Sequence, residues 1–268
     1  MTRKTPVALT IAGSDSGAGA GIQADLKTFA ALGVYGASAV TAVTAQNTLG
    51  IRAVFALPAT IVTAQIDAIF EDFNVAAVKI GMLGDLEIVE AVAAALSRHQ
   101  PRFALLDPVM VASSGDRLVG AGAISAMEAR LFPMLDCLTP NLSEAAAFLG
   151  EELASNEAEM TRQGRALLER GPRAVLMKGG HLESTEAVDL LLVGSRIRRY
   201  AGERIASRNL HGTGCTLSAA IAAYVVRNEG LEGAVAGAKA FVETAIRAGR
   251  DSDLASGSGP LMHLPLKN

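Results

Sequence analysis

Short apolar or β-branched runs at residues 7–12, 39–45, 76–80, 103–106 and 174–177 alternate along this chain with helical stretches at 21–32, 58–70, 86–98, 124–132, 157–170 and 216–228. That order is the pattern of βαβ units, and it predicts an α/β fold: a mostly parallel, doubly wound sheet with helices on both faces. The first helix shows an inward stripe at Ile22, Leu26 and Phe29, spaced i, i+4, i+7, and stops at Gly33. Alanine runs at 91–96 and 219–223 let helices lie close on the sheet. From 186 to 205 the pattern changes to closely spaced strands broken at Gly194-Ser195 and Ala201-Gly202, which predicts a small antiparallel meander on one edge. Linker-like composition occurs only at 252–260, read as a loop feeding a last short segment, and no internal repeat is found. The expectation is a single domain over 1–268.

Composition narrows the function. With 268 residues, 50% of them hydrophobic and 19% charged, the chain fills a core without metals or disulfides, and disorder is excluded. The formal net charge is -3, and the longest basic runs are the pairs Arg3-Lys4 and Arg198-Arg199. Neither nucleic acid nor an anionic membrane is an expected partner; a small molecule is. The apolar run that follows the basic start, 7–12, is too short for a signal peptide, and no stretch approaches the roughly 18 apolar residues of a membrane span. A cytoplasmic location follows. Two cysteines, Cys137 and Cys215, make neither a disulfide framework nor a metal knuckle and fit a reducing compartment.

Ligands of doubly wound sheets bind outside the carboxyl ends of the strands, so polar residues that end apolar runs are candidates. They are Gly13-Ser14-Asp15, Gln46-Asn47, Asp107, Asn141 and Lys178. The first glycine loop, 13–21, lacks the Gly-Lys-Ser/Thr ending of a P-loop. Gly19-Ala-Gly21-Ile-Gln-Ala24 matches a relaxed dinucleotide motif, but the second strand then ends in Gln46 where an acid should hold the ribose.

The second loop, His211-Gly212-Thr213-Gly214-Cys215-Thr216, opens a helix whose apolar face is Leu217, Ala220, Ile221 and Tyr224. Unpaired backbone N–H groups with little side-chain bulk before them form an anion cradle. The same helix end is expected to lower the pKa of Cys215, whose thiolate could take a proton or attack an electrophile; simple buried packing is the alternative. His211 raises a Cys-His hydrolase reading, for which no third orienting residue is evident. His99, His181 and His263 show no metal-ligand spacing. Asn141 and Glu144 stand three apart at a strand-to-helix turn; Glu144 is either a first-turn charge or, with Asp107 and Asn141, part of an oxygen set suited to Mg²⁺ and nucleotide phosphates. Lys178 adds a point charge for a transferred phosphoryl group.

The segments 12–27, Thr44-Ala-Gln46-Asn47, Lys79-Ile-Gly-Met82-Leu83, Asp107-Pro-Val-Met110, Thr139-Pro-Asn141-Leu-Ser-Glu144, Met177-Lys178-Gly-Gly-His181 and His211-Gly-Thr-Gly-Cys-Thr216 occur in this order. Together they resemble the hydroxymethylpyrimidine/phosphomethylpyrimidine kinases of thiamine biosynthesis. That resemblance implies a ribokinase-like three-layer α/β/α fold, a homodimer, and use of ATP with Mg²⁺. The implied reaction phosphorylates 4-amino-5-hydroxymethyl-2-methylpyrimidine and then its monophosphate. It further implies that Gln46 pairs with the amino and ring-nitrogen edge of the pyrimidine, with Gly13, Asp25 and Met82 around the ring. Gly212, Thr213 and Gly214 would form the anion hole, Cys215 would stand where related sugar kinases carry an aspartate base, and Asn141 and Glu144 would serve Mg²⁺ and phosphate. Gly17-Ala18 and Ser143 depart from the residues frequent in the family. A pyridoxal or pyridoxine kinase on the same scaffold, and a catalytically silent pyrimidine binder, are the alternatives.

Overall fold

The computed structural model describes residues 5–111, 115, 118–180, 182 and 185–263; Arg3, Lys4 and His181 lie outside them. The described strands are β1 (Val7–Asp15), β2 (Tyr35–Asn47), β3 (Gly50–Ala56), β4 (Val75–Ile80), β5 (Ala104–Leu106), β6 (Cys137–Leu138), β7 (Val175–Lys178), β8 (Glu186–Val193) and β9 (Arg196–Glu203). They make one sheet in the order β3-β2-β1-β4-β5-β6-β7-β8-β9. Pairings from β2 through β7 are parallel, and β7, β8 and β9 form the expected antiparallel meander, turning at Gly194-Ser195 as expected but running unbroken through Ala201-Gly202.

The opposite edge is antiparallel too, which the sequence did not announce. β2 runs on past residue 45 to Asn47 and turns back as β3. Asn47 Oδ1 accepts a hydrogen bond from Leu49 N at 2.9 Å and tightens that turn. β3 has no buried residue, so the in–out alternation that betrays a half-buried strand is missing from it.

The helices are α1 (Gly21–Ala31), α2 (Ala59–Asp72), α3 (Leu86–His99), α4 (Ala123–Ala126), α5 (Leu142–Leu149), α6 (Glu157–Leu168), α7 (Thr213–Val226) and α8 (Leu231–Gly249). α4 continues into a π-helical turn at Met127–Leu131, and α8 is an addition to the helices expected from sequence. Alternate strand residues feed two cores. Leu9, Ile11, Val78, Ile80 and Leu106 pack under α2, α3, α5 and α6. Ala8, Ala77, Leu105 and Leu176 pack under α1, α7 and α8. A period of two along buried strands with helices on each side is the three-layer α/β/α arrangement. Helix α7 is buried on every side from Thr216 to Ala223, because its alanines admit α1, α8 and the sheet together. No described helix is long and apolar enough to cross a membrane.

Candidate active site

The carboxyl ends of the parallel strands open into a cavity of about 1070 Å³. Gly13, Gln46, Met82, Asp107, Asn141, Glu144, Lys178 and the turn from Gly212 to Cys215 all reach its wall. Six strand ends and one helix start thus converge as the doubly wound topology requires.

Asp25 is the exception among the candidates around the ring. It is fully buried behind the wall, accepting from Thr10 Oγ1 at 2.6 Å and from Lys79 Nζ at 2.9 Å. Its place on the second turn of α1 turns it toward Thr10 and Lys79, and it is not among the residues that line the cavity. Lys79 itself reaches the cavity and was given no role from the sequence. The signal was present: a lysine inside the apolar run Val75–Ile80 must pair its charge. Burial opposes its charge, but the neighbouring Asp25 and Cys215 raise its pKa above the usual lysine value.

The turn expected to cradle an anion is the start of α7, where the Thr213 N–H donates to the Leu210 carbonyl at 3.2 Å. Gly212 caps the helix at φ +85°, a left-handed conformation that suits glycine. A Cβ there would lie 1.9 Å from the Gly19 carbonyl oxygen, so the two glycine loops touch backbone to backbone. A Cβ on Gly214 would lie 3.4 Å from Lys178 Nζ and 3.6 Å from Asp107 Oδ2, which brings the helix start against that lysine. Thr213 Oγ1 donates to the Leu210 carbonyl at 2.7 Å.

Cys215 corrects the expectation of a lowered pKa. Burial pushes its thiol up to about 11; Lys79 pulls it down, and Asp25 and Asp107 add to the rise. The backbone N–H of Gly21 faces the sulfur as a donor. A helix N-terminus is worth fractions of a kcal/mol to about 2, less than burying a thiolate near two carboxylates. His211 does not serve the thiol. Its Nε2 lies 2.9 Å from Asp15 Oδ2 and 3.5 Å from Gln46 Nε2, so it belongs to the first glycine loop. Asp15 also accepts from the backbone N–H groups of Gly17, Gly19 and Ala20 at 2.8, 3.1 and 2.9 Å. Burial works against its charge, but these bonds and His211 leave its pKa below the ordinary value.

Lys178 Nζ lies 2.5 Å from Asp107 Oδ1 and 3.7 Å from Glu144 Oε2. Burial opposes the ionisation of Asp107, but Lys178 and Lys79 hold its pKa down. Glu144 is pushed up to about 7, chiefly by burial, with Lys178 pulling the other way. Asn141 and Glu144 make the two halves of a capping box: Glu144 N donates to Asn141 Oδ1 at 2.9 Å, and Asn141 N donates to Glu144 Oε2 at 2.7 Å. Their first duty is to start α5. Among the described residues no group of three or more His, Cys, Asp or Glu could hold a metal, and a lysine ammonium already stands between the two carboxylates. The described residues build no metal cage of their own. One or two carboxylates are nonetheless what Mg²⁺ takes from a protein when phosphates supply other ligands.

The far end of the cavity is lined from the meander and α8, including Asp189, Ile205, Lys239, Val242 and Ile246. Asp189 Oδ2 and Lys239 Nζ pair there at 2.6 Å. Sequence reasoning did not reach the α8 part of this wall, since α8 was not expected. His263, close to the end of the described chain, contacts Thr216 Oγ1 through Nε2 at 2.8 Å; burial first, and Lys27 second, depress its pKa to about 4, so it stays neutral.

Comparison with known proteins agrees with this geometry. The chain is 53% identical over 259 residues to a hydroxymethylpyrimidine/phosphomethylpyrimidine kinase of Rhizobium meliloti, covering 97% of each. It is similar in structure to a phosphomethylpyrimidine kinase of Clostridium difficile, with a TM-score of 0.80, 42% identity, and 91% of this chain and 100% of that one covered. It is also similar to a Bacillus subtilis pyridoxal kinase solved as an ADP complex, with a TM-score of 0.90, 33% identity, and 97% and 98% covered. The likenesses span both ends of the cavity, and the model of the phosphomethylpyrimidine kinase family matches residues 15–262. The chain belongs to the phosphomethylpyrimidine kinase family, with a ribokinase-like fold.

Proposed function

We propose that the protein transfers the γ-phosphoryl group of ATP to the hydroxymethyl oxygen of 4-amino-5-hydroxymethyl-2-methylpyrimidine, and then phosphorylates the monophosphate to the pyrophosphate. The observation that carries this reading is the contact of the α7 start with Lys178 and Asp107. A helix N-terminus and an ammonium at one point form a clamp for phosphoryl oxygens.

Gln46 pairs with the amino and ring-nitrogen edge, and Gly13 and Met82 enclose the ring. A Cβ on Gly13 would come within 3.0 Å of Met82 Sδ, so glycine keeps that wall open. The N–H groups of 212, 214 and 215 receive the transferring group, the Thr213 N–H being given to the Leu210 carbonyl at 3.2 Å, and Lys178 offsets its charge. The alcohol oxygen forms the new bond to phosphorus, the bond from phosphorus to the β–γ bridging oxygen breaks, and the alcohol proton is taken up by the small thiolate fraction of Cys215. Mg²⁺ arriving with the nucleotide would neutralise phosphate charge, held by Asp107 and Glu144 with Asn141 beside them. The second acceptor is already anionic and needs no base. One domain carries both ends of the cavity, and we expect a cytoplasmic homodimer.

The likeness to a pyridoxal kinase gives the second reading its weight, since both acceptors are planar nitrogen rings with a hydroxymethyl group. ADP release, measured separately with the aminopyrimidine alcohol, its monophosphate and pyridoxal, tests all readings. Release with the first two supports the proposal. Release with pyridoxal alone supports the second reading, and none with any acceptor supports a silent binder.

A further inference from the structure

Gln46 stands between two groups that each have a single hydrogen to give. Thr44 Oγ1 carries one hydrogen and lies 3.0 Å from the Ser14 carbonyl oxygen, which only accepts, and 3.1 Å from Gln46 Oε1. On the other side, His211 Nε2 carries one hydrogen and lies 2.9 Å from Asp15 Oδ2 and 3.5 Å from Gln46 Nε2. Asp15 accepts from three backbone N–H groups and is a carboxylate, so the hydrogen on His211 Nε2 goes to it. The threonine cannot donate to two acceptors with one hydrogen, and the imidazole nitrogen cannot donate to Asp15 while accepting from an amide N–H. The two ends of a glutamine amide have nearly the same shape, and their partners assign them. Exchanging them removes both conflicts: the amide nitrogen donates to Thr44 Oγ1, and the amide oxygen shares the His211 Nε2 hydrogen with Asp15.

We propose that His211, held by Asp15, and Thr44 are positioning residues that lock the Gln46 amide in this one sense and so determine which ring edge the site accepts. The inference rests on the reading of Gln46 as the ring-edge partner. A locked amide has one N–H and one oxygen lone pair left for a ligand. Its complement is an acceptor beside a donor, as in a ring nitrogen next to an exocyclic amine. A lactam edge, with N–H beside C=O, has the opposite polarity and binds only if the amide turns over, at the cost of both locking bonds. His211 is fixed from behind as well: a Cβ on Gly19 would come within 2.3 Å of its Cδ2, and its backbone N–H donates to the Gly259 carbonyl at 3.1 Å.

The test compares kcat/KM for the aminopyrimidine alcohol with that for its 4-oxo analogue, in the unsubstituted protein and in Thr44→Val, His211→Leu and His211→Gln. Thr44→Val and His211→Leu should each reduce the amino-over-oxo preference about tenfold, the worth of one or two hydrogen bonds, mainly through the acceptor KM. In Thr44→Val the KM for ATP should move by less than about twofold, an effect a general loosening would not produce. His211→Gln, which keeps an N–H near the Nε2 position, should retain most of the preference. Thr44→Val changes shape least and decides the matter if His211→Leu does not fold. An unchanged preference in either folded variant, or an ATP KM that rises in step with the acceptor KM in Thr44→Val, overturns the proposal. Failure of the unsubstituted protein to turn over the aminopyrimidine overturns the functional reading beneath it.

Discussion

At Cys215 two electrostatic effects of opposite sign meet. The helix start and Lys79 favour a thiolate, while burial, Asp25 and Asp107 oppose it, and the thiol stays protonated in the free protein. A group held near 11 is a weak reserve of base at neutral pH. Phosphoryl transfer through a loose transition state leans more on positioning and charge than on a base, so the site can work with such a thiol. The difference between acceptors remains: an alcohol has a proton to lose, and a phosphate has none at the attacking oxygen. Cys215→Ala should therefore lower kcat with the alcohol by about 10²-fold and lower it less with the monophosphate, as measured with each acceptor alone. Equal losses would contradict that role. The residues at the strand ends were legible because topology alone brings Gln46, Asp107, Asn141 and Lys178 to one rim. The place of Asp25 was not, because a resemblance carries a residue's position along the chain but not which way a helix turns it.

The two glycine loops are one element in mechanical terms. Gly212 and Gly19 meet backbone to backbone, Asp15 pins the first loop through three N–H groups, and His211 spans from one loop to the other. Movement of either loop shifts the anion cradle relative to Gln46. Gly212→Ala forces an L side chain into φ +85° and against the Gly19 carbonyl. It should cost about 2 kcal/mol or more and reduce turnover by more than about tenfold, seen as a lowered Tm and slower ADP release. Unchanged values would mean the loops do not act as a unit. At this scale the sequence showed glycine-rich turns but not their contact, since nothing local encodes two segments roughly 190 residues apart in sequence touching. The same limit hid β3, whose side chains face outward throughout, while α5 was visible only through its Asn141–Glu144 cap.

For the whole molecule, the alternation of strands and helices was enough to specify three layers and the rim where ligands bind. Buried strands carry apolar residues on both faces, and helices follow them at a period the sequence displays directly. The second antiparallel edge and α8 had no such pattern, so the part of the cavity wall that Lys239, Val242 and Ile246 supply was unforeseen. The α7 start lines the same cavity as Gln46 and Lys239. The account therefore turns on where that helix start meets both substrates. A crystal structure with the aminopyrimidine alcohol and a non-hydrolysable ATP analogue tests this most directly. It should place the hydroxymethyl oxygen about 3–3.5 Å from the γ-phosphorus, with the phosphoryl oxygens on the N–H groups of 212, 214 and 215 and the ring edge on Gln46. A ring bound away from Gln46, or a γ-phosphate away from that turn, would contradict the account.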